Sequence, residues 1–388
     1  MDFYSRAQEL KSELIRHRRT IHQLAEVGME LPKTTDYVIT QLKNMGYQPI
    51  EIMNSGIVAT VGSGGKTFLL RADMDALPMG EETGLDYASE NGNCHACGHD
   101  THTAMLLCAA RLLKEAETEL KGTVKLMFQP GEELLCGAAA MIEAGVLENP
   151  KVDRAMAFHV RSTDPKGVSY IYGPRAASAG NFAITVHGAA THGAMPYNGV
   201  DPIVIGSHIV LGLQELISRE ISFTKGAVLT IGQFTSGSSC NVIPATAEIK
   251  GTMRSFSNET REHLLKRVPE VAGDIAKAYR AAIDFEWLCD VPVLMNDETF
   301  TDQIRSYIED LSDGHFDVFS CEPTTGSEDF ALLANNVPSS MFSFCAPYPD
   351  ETKRYPLHNP KVLFDEDFLP TGSAVLAESA TRWLADYA

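Results

Sequence analysis

The sequence predicts an α/β protein. A domain built on a mainly parallel sheet, residues 1–175 and 292–388, carries a smaller α+β domain inserted at 176–291. Three observations lead there. Short apolar runs alternate with helix-like segments from residue 57 onward. Acidic or histidine side chains close three of those runs. The texture of the chain then changes after residue 175.

The N-terminal stretch MDFYSRAQELKSELIRHRRTIHQL spaces Phe3, Ala7, Leu10, Leu14, Ile21 and Leu24 near helical periodicity. It has no apolar block of the kind a signal peptide needs, so it reads as an amphipathic helix. IVATVG and KTFLLRADMDALP read as strands, and THTAMLLCAARLLKEAE as a helix with Thr101 or Thr103 as N-cap. GTVKLMFQPGEE follows as a strand, GAAAMIEAGVL as a helix and VDRAMAFHV as a strand. Asp73 and Asp75, then Glu132 and Glu133, then His159 lie at the ends of these three strands. Ligands of open α/β sheets sit beyond such carboxyl ends, which makes this a constellation at one crevice.

Beyond residue 175, NFAITVHGAATHGAMP, AVLTIGQFTSG and ATAEIKGTMRSF alternate like half-exposed strands, with IDFEWL as the last strand of the insert. IVIGSHIVLGLQELIS and ETREHLLKRVPEVAGDIAKAYRA are helical. Two helices on a small antiparallel sheet suffice for an inserted domain.

The 388 residues favour two domains over one core. A formal net charge of -19 excludes a nucleic-acid footprint, which needs clustered positive charge. It also requires local cations to hold any anionic substrate. No apolar stretch approaches the roughly 20 residues that span a bilayer. Eight irregularly spaced cysteines suit free thiols or metal ligands in a reducing compartment, so a cytoplasmic location is expected.

The densest chemistry is NCHACGHDTHTAMLL, residues 93–107. A structural zinc knuckle would need a second ligand pair, and none of the C-x-x-C kind follows Cys94 and Cys97. A thiol nucleophile would explain neither the glutamates nor the later histidines. A catalytic metal site accounts for all of them. Adjacent glutamates are ordinarily a solvated patch. At a Pro-Gly turn after an apolar strand, however, one carboxylate can hold a metal while the other takes a proton from water. His159 and His358 taken singly are ordinary polar residues, although the prolines flanking PLHNP stiffen His358. His102 is either a ligand or a support for one. His17, His22, His187, His208, His263 and His315 read as surface or packing residues.

With these pieces assembled, the chain resembles the peptidase M20 family of metallohydrolases. The amidohydrolase branch, which includes aminoacylase-like, hippurate-hydrolase-like and auxin-conjugate-hydrolase-like enzymes, is the nearest. LRADMDALP, HACGHDTHTAMLL, FQPGEE, GAAAMIEAGVL, HGAMPYNGVDPI, NVIPATAEIKGTMR, GSEDFA and LHNPKVLFDED carry the resemblance in the family's order. It implies that Cys97, His99, Glu133, His159 and His358 bind two divalent ions (zinc, manganese, cobalt or nickel). It further implies that Glu132 is the general base and that Asp75 orients a metal-binding histidine. His192 would complete a partner's site in a homodimer and stabilise the oxyanion, while Asn241 and Arg254 would lie near the substrate's oxyanion or carboxylate. The insert would then act as a lid and dimerisation domain. The expected reaction is hydrolysis of the amide of an N-acyl amino acid. A carboxypeptidase or dipeptidase of the same family is the alternative, and a non-catalytic metal-binding protein a more distant one. Two departures stand out: GAAT before His192, where the branch usually has lysine and more glycine, and RSTDPKG after His159, without the usual nearby proline.

Overall fold

The fold is organised by an eight-stranded sheet. Its first six strands in chain order are β1 (Ile50–Met53), β2 (Gly56–Gly62), β3 (Thr67–Asp73), β4 (Thr123–Gln129), β5 (Arg154–Arg161) and β6 (Gly167–Tyr170). Strands Val318–Ser320 and Ser339–Cys345 complete it, in the spatial order β1, β2, β4, β3, β5, Ser339–Cys345, β6, Val318–Ser320. The central block from β4 through β3 and β5 to Ser339–Cys345 is parallel, and β1, β2 and β6 join antiparallel. The computed structural model describes all residues, 1–388.

Chain composition explains the centre. β3 and β4 are buried along their whole length, as expected for parallel strands covered on both faces. Around them lie α1 (Phe3–Glu9), α2 (Lys11–Leu24), α3 (Pro32–Asn44), α4 (His99–Glu115) and α5 (Gly137–Glu143), with later helices Glu298–Ser312 and Leu369–Asp386. α4 is buried on almost every side, packed against α2 and Leu369–Asp386. The expected N-terminal helix is present as two helices, α1 and α2, joined at Leu10.

The cap of α4 differs from expectation. The helix begins at His99, and Gly98 holds the N-cap position in a left-handed conformation (φ 84°). Thr101 and Thr103 lie inside the helix, where their hydroxyls donate to the carbonyls of Gly98 (2.6 Å) and Asp73 (2.7 Å). One threonine hydroxyl thus closes on the start of its own helix, and the other ties the helix to the end of β3. The first turn is anchored instead through Asp100, which faces Arg18 and His22 of α2, each at 2.8 Å. A carboxylate there also suits the positive end of the helix dipole.

By internal contacts the chain separates into two units. One comprises Met1–Arg175, Met295–Glu322 and Leu332–Ala388; the other comprises Ala176–Leu294 and Pro323–Ala331. In the second, strands Ala227–Ser236, Thr246–Ser255, Ala179–His187 and Ala282–Val291 lie side by side in that order, all antiparallel. Their alternation puts Phe182, Ile184, Val186, Ala247 and Ile249 against helices Pro202–Glu215 and Asn258–Ala278, forming a separate core. A short strand, Leu294–Asn296, follows the one read as the last of the insert.

Candidate metal centre

The strand order has a physical consequence. The chain leaves β3 through α4 to reach β4 on one side, then crosses back through α5 to β5 on the other. The two directions part between β3 and β5, a topological switch point where a crevice opens. The β3–β5 ladder stops at Arg71 paired with Ala157, short of both strand ends. Asp73, His99 and His159 collect there.

Five side chains converge. The Cys97 sulfur lies 3.5 Å from Nε2 of His159 and 3.3 Å from Nε2 of His358. Nε2 of His358 is 3.5 Å from Oε1 of Glu133, and Nε2 of His99 is 3.9 Å from the same oxygen. These atoms fall into two sets that share the thiol: Cys97, His99 and His159, and Cys97, Glu133 and His358. Within each set the donors lie within 4.8 Å of one another.

Supporting contacts aim the donors. Nδ1 of His99 is 3.3 Å from Oδ1 of Asp75, which turns Nε2 toward the crevice. The same carboxylate accepts the backbone N–H of Glu132 (3.1 Å) and of Glu133 (3.0 Å). Adjacent carboxylates are thereby held on one turn, and Oε2 of Glu132 lies 3.9 Å from Nε2 of His99. Nδ1 of His159 donates to the Val160 carbonyl (2.9 Å), leaving Nε2 toward Cys97. His358 is positioned by its backbone, with φ at 61° and its N–H donating to the Ala96 carbonyl (2.8 Å). A non-glycine residue held in that region has its side chain direction set by the surrounding chain.

Electrostatics follow from burial. Loss of solvent pushes the Cys97 thiol well above its ordinary pKa, and the neighbouring His99 opposes the rise. Burial disfavours charge on His99, but Asp73, the Cys97 sulfur and Asp75 outweigh it and raise this imidazole well above its usual value. Burial, with His102 adding to it, drives His159 well down. For Asp73, burial favours the acid, yet Arg71, His99 and His102 together keep it well below the carboxylate range.

Donor chemistry decides whether this arrangement fits metal. The buried atoms His99 Nε2 and Glu133 Oε1 make no hydrogen bond. A buried polar atom left so costs about 1–3 kcal/mol, which a ligand offsets. Thiolate, imidazole and carboxylate together match divalent transition-metal ions. The residues fit such a group.

The sequence profile of Peptidase family M20/M25/M40 matches residues 69–382. The chain belongs to this family. An N-acetyl-L-cysteine deacetylase of Bacillus subtilis (strain 168) is 37% identical over 380 residues, covering 97% of this chain and 89% of that protein. IAA-amino acid hydrolase ILR1-like 4 of Arabidopsis thaliana is 38% identical over 382 residues, covering 95% and 85%. The crystal structure of the Bacillus subtilis YXEP protein, described as a dinuclear metal binding peptidase from the M20 family, is 32% identical with a TM-score of 0.81. That match covers 97% of this chain and 99% of the other.

The remaining sequence candidates lie in the second unit of this M20 protein. His192 is exposed, in the short strand Thr191–His192 that pairs with Val242–Ile243. Its Nδ1 accepts from the Ala194 N–H (3.0 Å), so Nε2 carries the proton. Asn241 is its neighbour, accepting the Gly193 N–H at its carbonyl (2.7 Å). Arg254 lies near the other end of strand Thr246–Ser255 from that turn, donating to the Thr252 hydroxyl (2.5 Å) and Met253 carbonyl (2.9 Å). The structure therefore groups His192 with Asn241, and groups Asp75 and Glu132 with the five donors.

Sequence reasoning passed over the buried supports: Arg71, which donates to Asp73 Oδ2 (2.6 Å), and the Arg18, His22 and Asp100 group. A charged residue inside the apolar run FLLRAD was the available signal.

Gly98 separates the candidate donors Cys97 and His99. A Cβ there would meet Val160 Cγ1 at 2.4 Å and the Phe364 ring at 2.8 Å, on a backbone that L side chains rarely adopt. Gly98→Ala is expected to destabilise the protein by about 1–3 kcal/mol in denaturant titration. It is also expected to lower bound metal in the fraction that remains folded. Parent stability with parent metal content, by elemental analysis, would contradict this geometry.

Proposed function

We propose that this M20 protein is a metal-dependent amidohydrolase that cleaves the amide of N-acyl amino acids into a carboxylic acid and a free amino acid. The observation that carries the reading is a pair of three-donor sets sharing one thiol, with an additional carboxylate, Glu132, beside them. Relatives named for N-acetylcysteine deacetylation and auxin–amino acid hydrolysis support the substrate class.

In this reading Cys97, His99 and His159, and Cys97, Glu133 and His358, would hold two divalent cations, zinc, manganese, cobalt or nickel. When bound, they supply positive charge that polarises the scissile carbonyl and acidifies the attacking water. Glu132 takes the proton of that water as it attacks and delivers it to the leaving nitrogen. Asp75 keeps Glu132 and Glu133 apart in role by fixing both of their amides, and holds His99 with Nδ1 protonated. His192 offers an Nε2–H to the developing oxyanion. Asn241 and Arg254 meet the substrate's polar end, and Arg254 suits a carboxylate because the groups it donates to are a hydroxyl and a carbonyl.

The inserted domain, residues 176–291, serves as lid and dimerisation domain, and the protein acts as a homodimer with His192 lent to the partner's site. Support comes from the open edge of strand Ala227–Ser236 and from helix Pro202–Glu215, which exposes Ile203, Val204 and Leu211. An unpaired edge beside exposed apolar side chains is a surface suited to self-pairing. A cytoplasmic location suits a site built on a reduced thiol in a chain whose cysteines are all free. No helix is long and apolar enough to cross a membrane.

Three outcomes are expected. Glu132→Gln should retain both metals while turnover falls by ~10²–10⁴-fold, as for loss of a general base, whereas Glu133→Gln should lose metal as well. Metal analysis showing the reverse pattern would exchange their roles. On a substrate panel, N-acyl amino acids should be hydrolysed far faster than the same compounds amidated at the carboxyl end. Equal kcat/KM for acid and amide would remove the carboxylate contact, and preference for dipeptides over acyl amino acids would make the enzyme a dipeptidase. Finally, His192→Ala and Glu132→Ala proteins, each nearly inactive, should regain about a quarter of parental activity when their subunits exchange. Random pairing leaves one intact site in each mixed dimer. Confirmed exchange with no recovery would place His192 in its own chain's site or in neither.

A further inference from the structure

His102 lies one helical turn beyond His99 on α4, fully inside the protein, and neither donor set uses it. Both of its nitrogens are engaged. Nδ1 is 2.6 Å from Oδ1 of Asp73, and Nε2 is 2.7 Å from the backbone nitrogen of Val160. A backbone amide only donates, so Nε2 holds the lone pair and Nδ1 the proton, which goes to Asp73. Asp73 is itself held from its other oxygen by Arg71.

Asp73, His99 and His102 also bring donor atoms within 4.8 Å of one another. A cation among them would have to displace the Val160 amide from His102 and either Arg71 or His102 from Asp73. Asp73 and His102 are already engaged by these hydrogen bonds, whereas His99 Nε2 remains open toward the candidate donor sets.

What those bonds join is informative. The β3–β5 ladder ends at Arg71 and Ala157, while β5 continues beside Ser339–Cys345 as far as Arg161 paired with Cys345. Val160 therefore lies on the part of β5 that has lost β3 as a neighbour. His102 fills the gap, linking the last side chain of β3 to the amide of Val160. The carbonyl of Val160 accepts Nδ1–H of His159, and the two imidazoles pack edge to face with centroids 5.0 Å apart. The N–H and C=O of Val160 are thus both committed, one to each histidine.

We propose that His102 is a positioning residue for His159: a strut across the splayed ends of β3 and β5 that fixes Val160 and, through it, aims His159 Nε2 at Cys97. The proposal rests on the reading of His159 as a metal ligand. Partners behind a ligating histidine commonly change metal affinity by ~10–100-fold.

Two conservative variants separate the bonds of the strut. Asn at 102 places an N–H near the old Nδ1 and keeps the Asp73 link, but has nothing to accept Val160. Gln at 102 can place its carbonyl oxygen near the old Nε2 and so keep the Val160 amide. The experiment is titration of chelator-treated protein with Co2+, followed by the thiolate-to-cobalt absorption. Parent should bind two ions and His159→Ala should lose one. His102→Asn should weaken one of the two by at least ~10-fold, His102→Gln should recover most of that loss, and adding His102→Asn to His159→Ala should cost nothing beyond His159→Ala alone. Parental cobalt affinity in His102→Asn, with His159→Ala still losing an ion, overturns the strut and leaves the metal ligand intact. Two tight ions in His159→Ala overturn both. Should the variants fail to fold, histidine 15N spectra of the parent decide, because a His102 ring protonated at Nε2 cannot accept the Val160 amide and would end the proposal.

Discussion

The Asp75 carboxylate holds the candidate centre together. Placed just past the end of β3, it reaches His99 at the start of α4 and the amides of Glu132 and Glu133 on the turn after β4. Two segments distant in sequence are thereby referenced to one rigid strand end. A buried carboxylate is tolerated there because donors surround it, as buried charge requires. Displacing it would release one imidazole and both glutamates at once.

The same logic recurs around the crevice. Each histidine that offers Nε2 has its other features committed: His99 to a carboxylate, His159 to a carbonyl, and His358 to a left-handed backbone tied to Ala96. Ring direction is constrained at each of these histidines before any ligand arrives, and at His159 the tautomer as well, which lowers the ordering cost of binding. The counterpart is electrostatic. A thiol, three imidazoles and two carboxylates are crowded into a site that is buried except at His358, and burial pushes Cys97 and His159 strongly toward their neutral forms. Bound cations would reverse that preference for the thiol, so metal affinity and fold stability are linked.

The second unit solves a different problem. Its sheet is covered by helices on one face only, so its strands alternate and leave the other face polar. His192 on its short strand and Asn241, in the turn just before the paired strand Val242–Ile243, sit together, with Nε2–H of His192 directed away from its own hydrogen bond. That exposed donor contrasts with the buried histidines of the first unit.

The sequence alone determined the layer architecture and the donor inventory. Runs such as FLLRAD and VKLMFQ are apolar enough to be buried on both faces, and the reactive residues fall at their ends, where the chain must leave the sheet. Periodicity and residue chemistry are local properties, and they survive in one dimension. Tertiary structure decided which donors come together and which histidine lies behind another. The sharing of Cys97 depends on His358 arriving from 261 positions away. The role of His102 depends on where the β3–β5 ladder stops, 58 positions from the amide it accepts. The start of α4 was misjudged for the same reason: a threonine hydroxyl reads as a cap in isolation. Only the packing of Gly98 against Val160 and Phe364, and of Asp100 against Arg18 and His22, moved the helix start to His99.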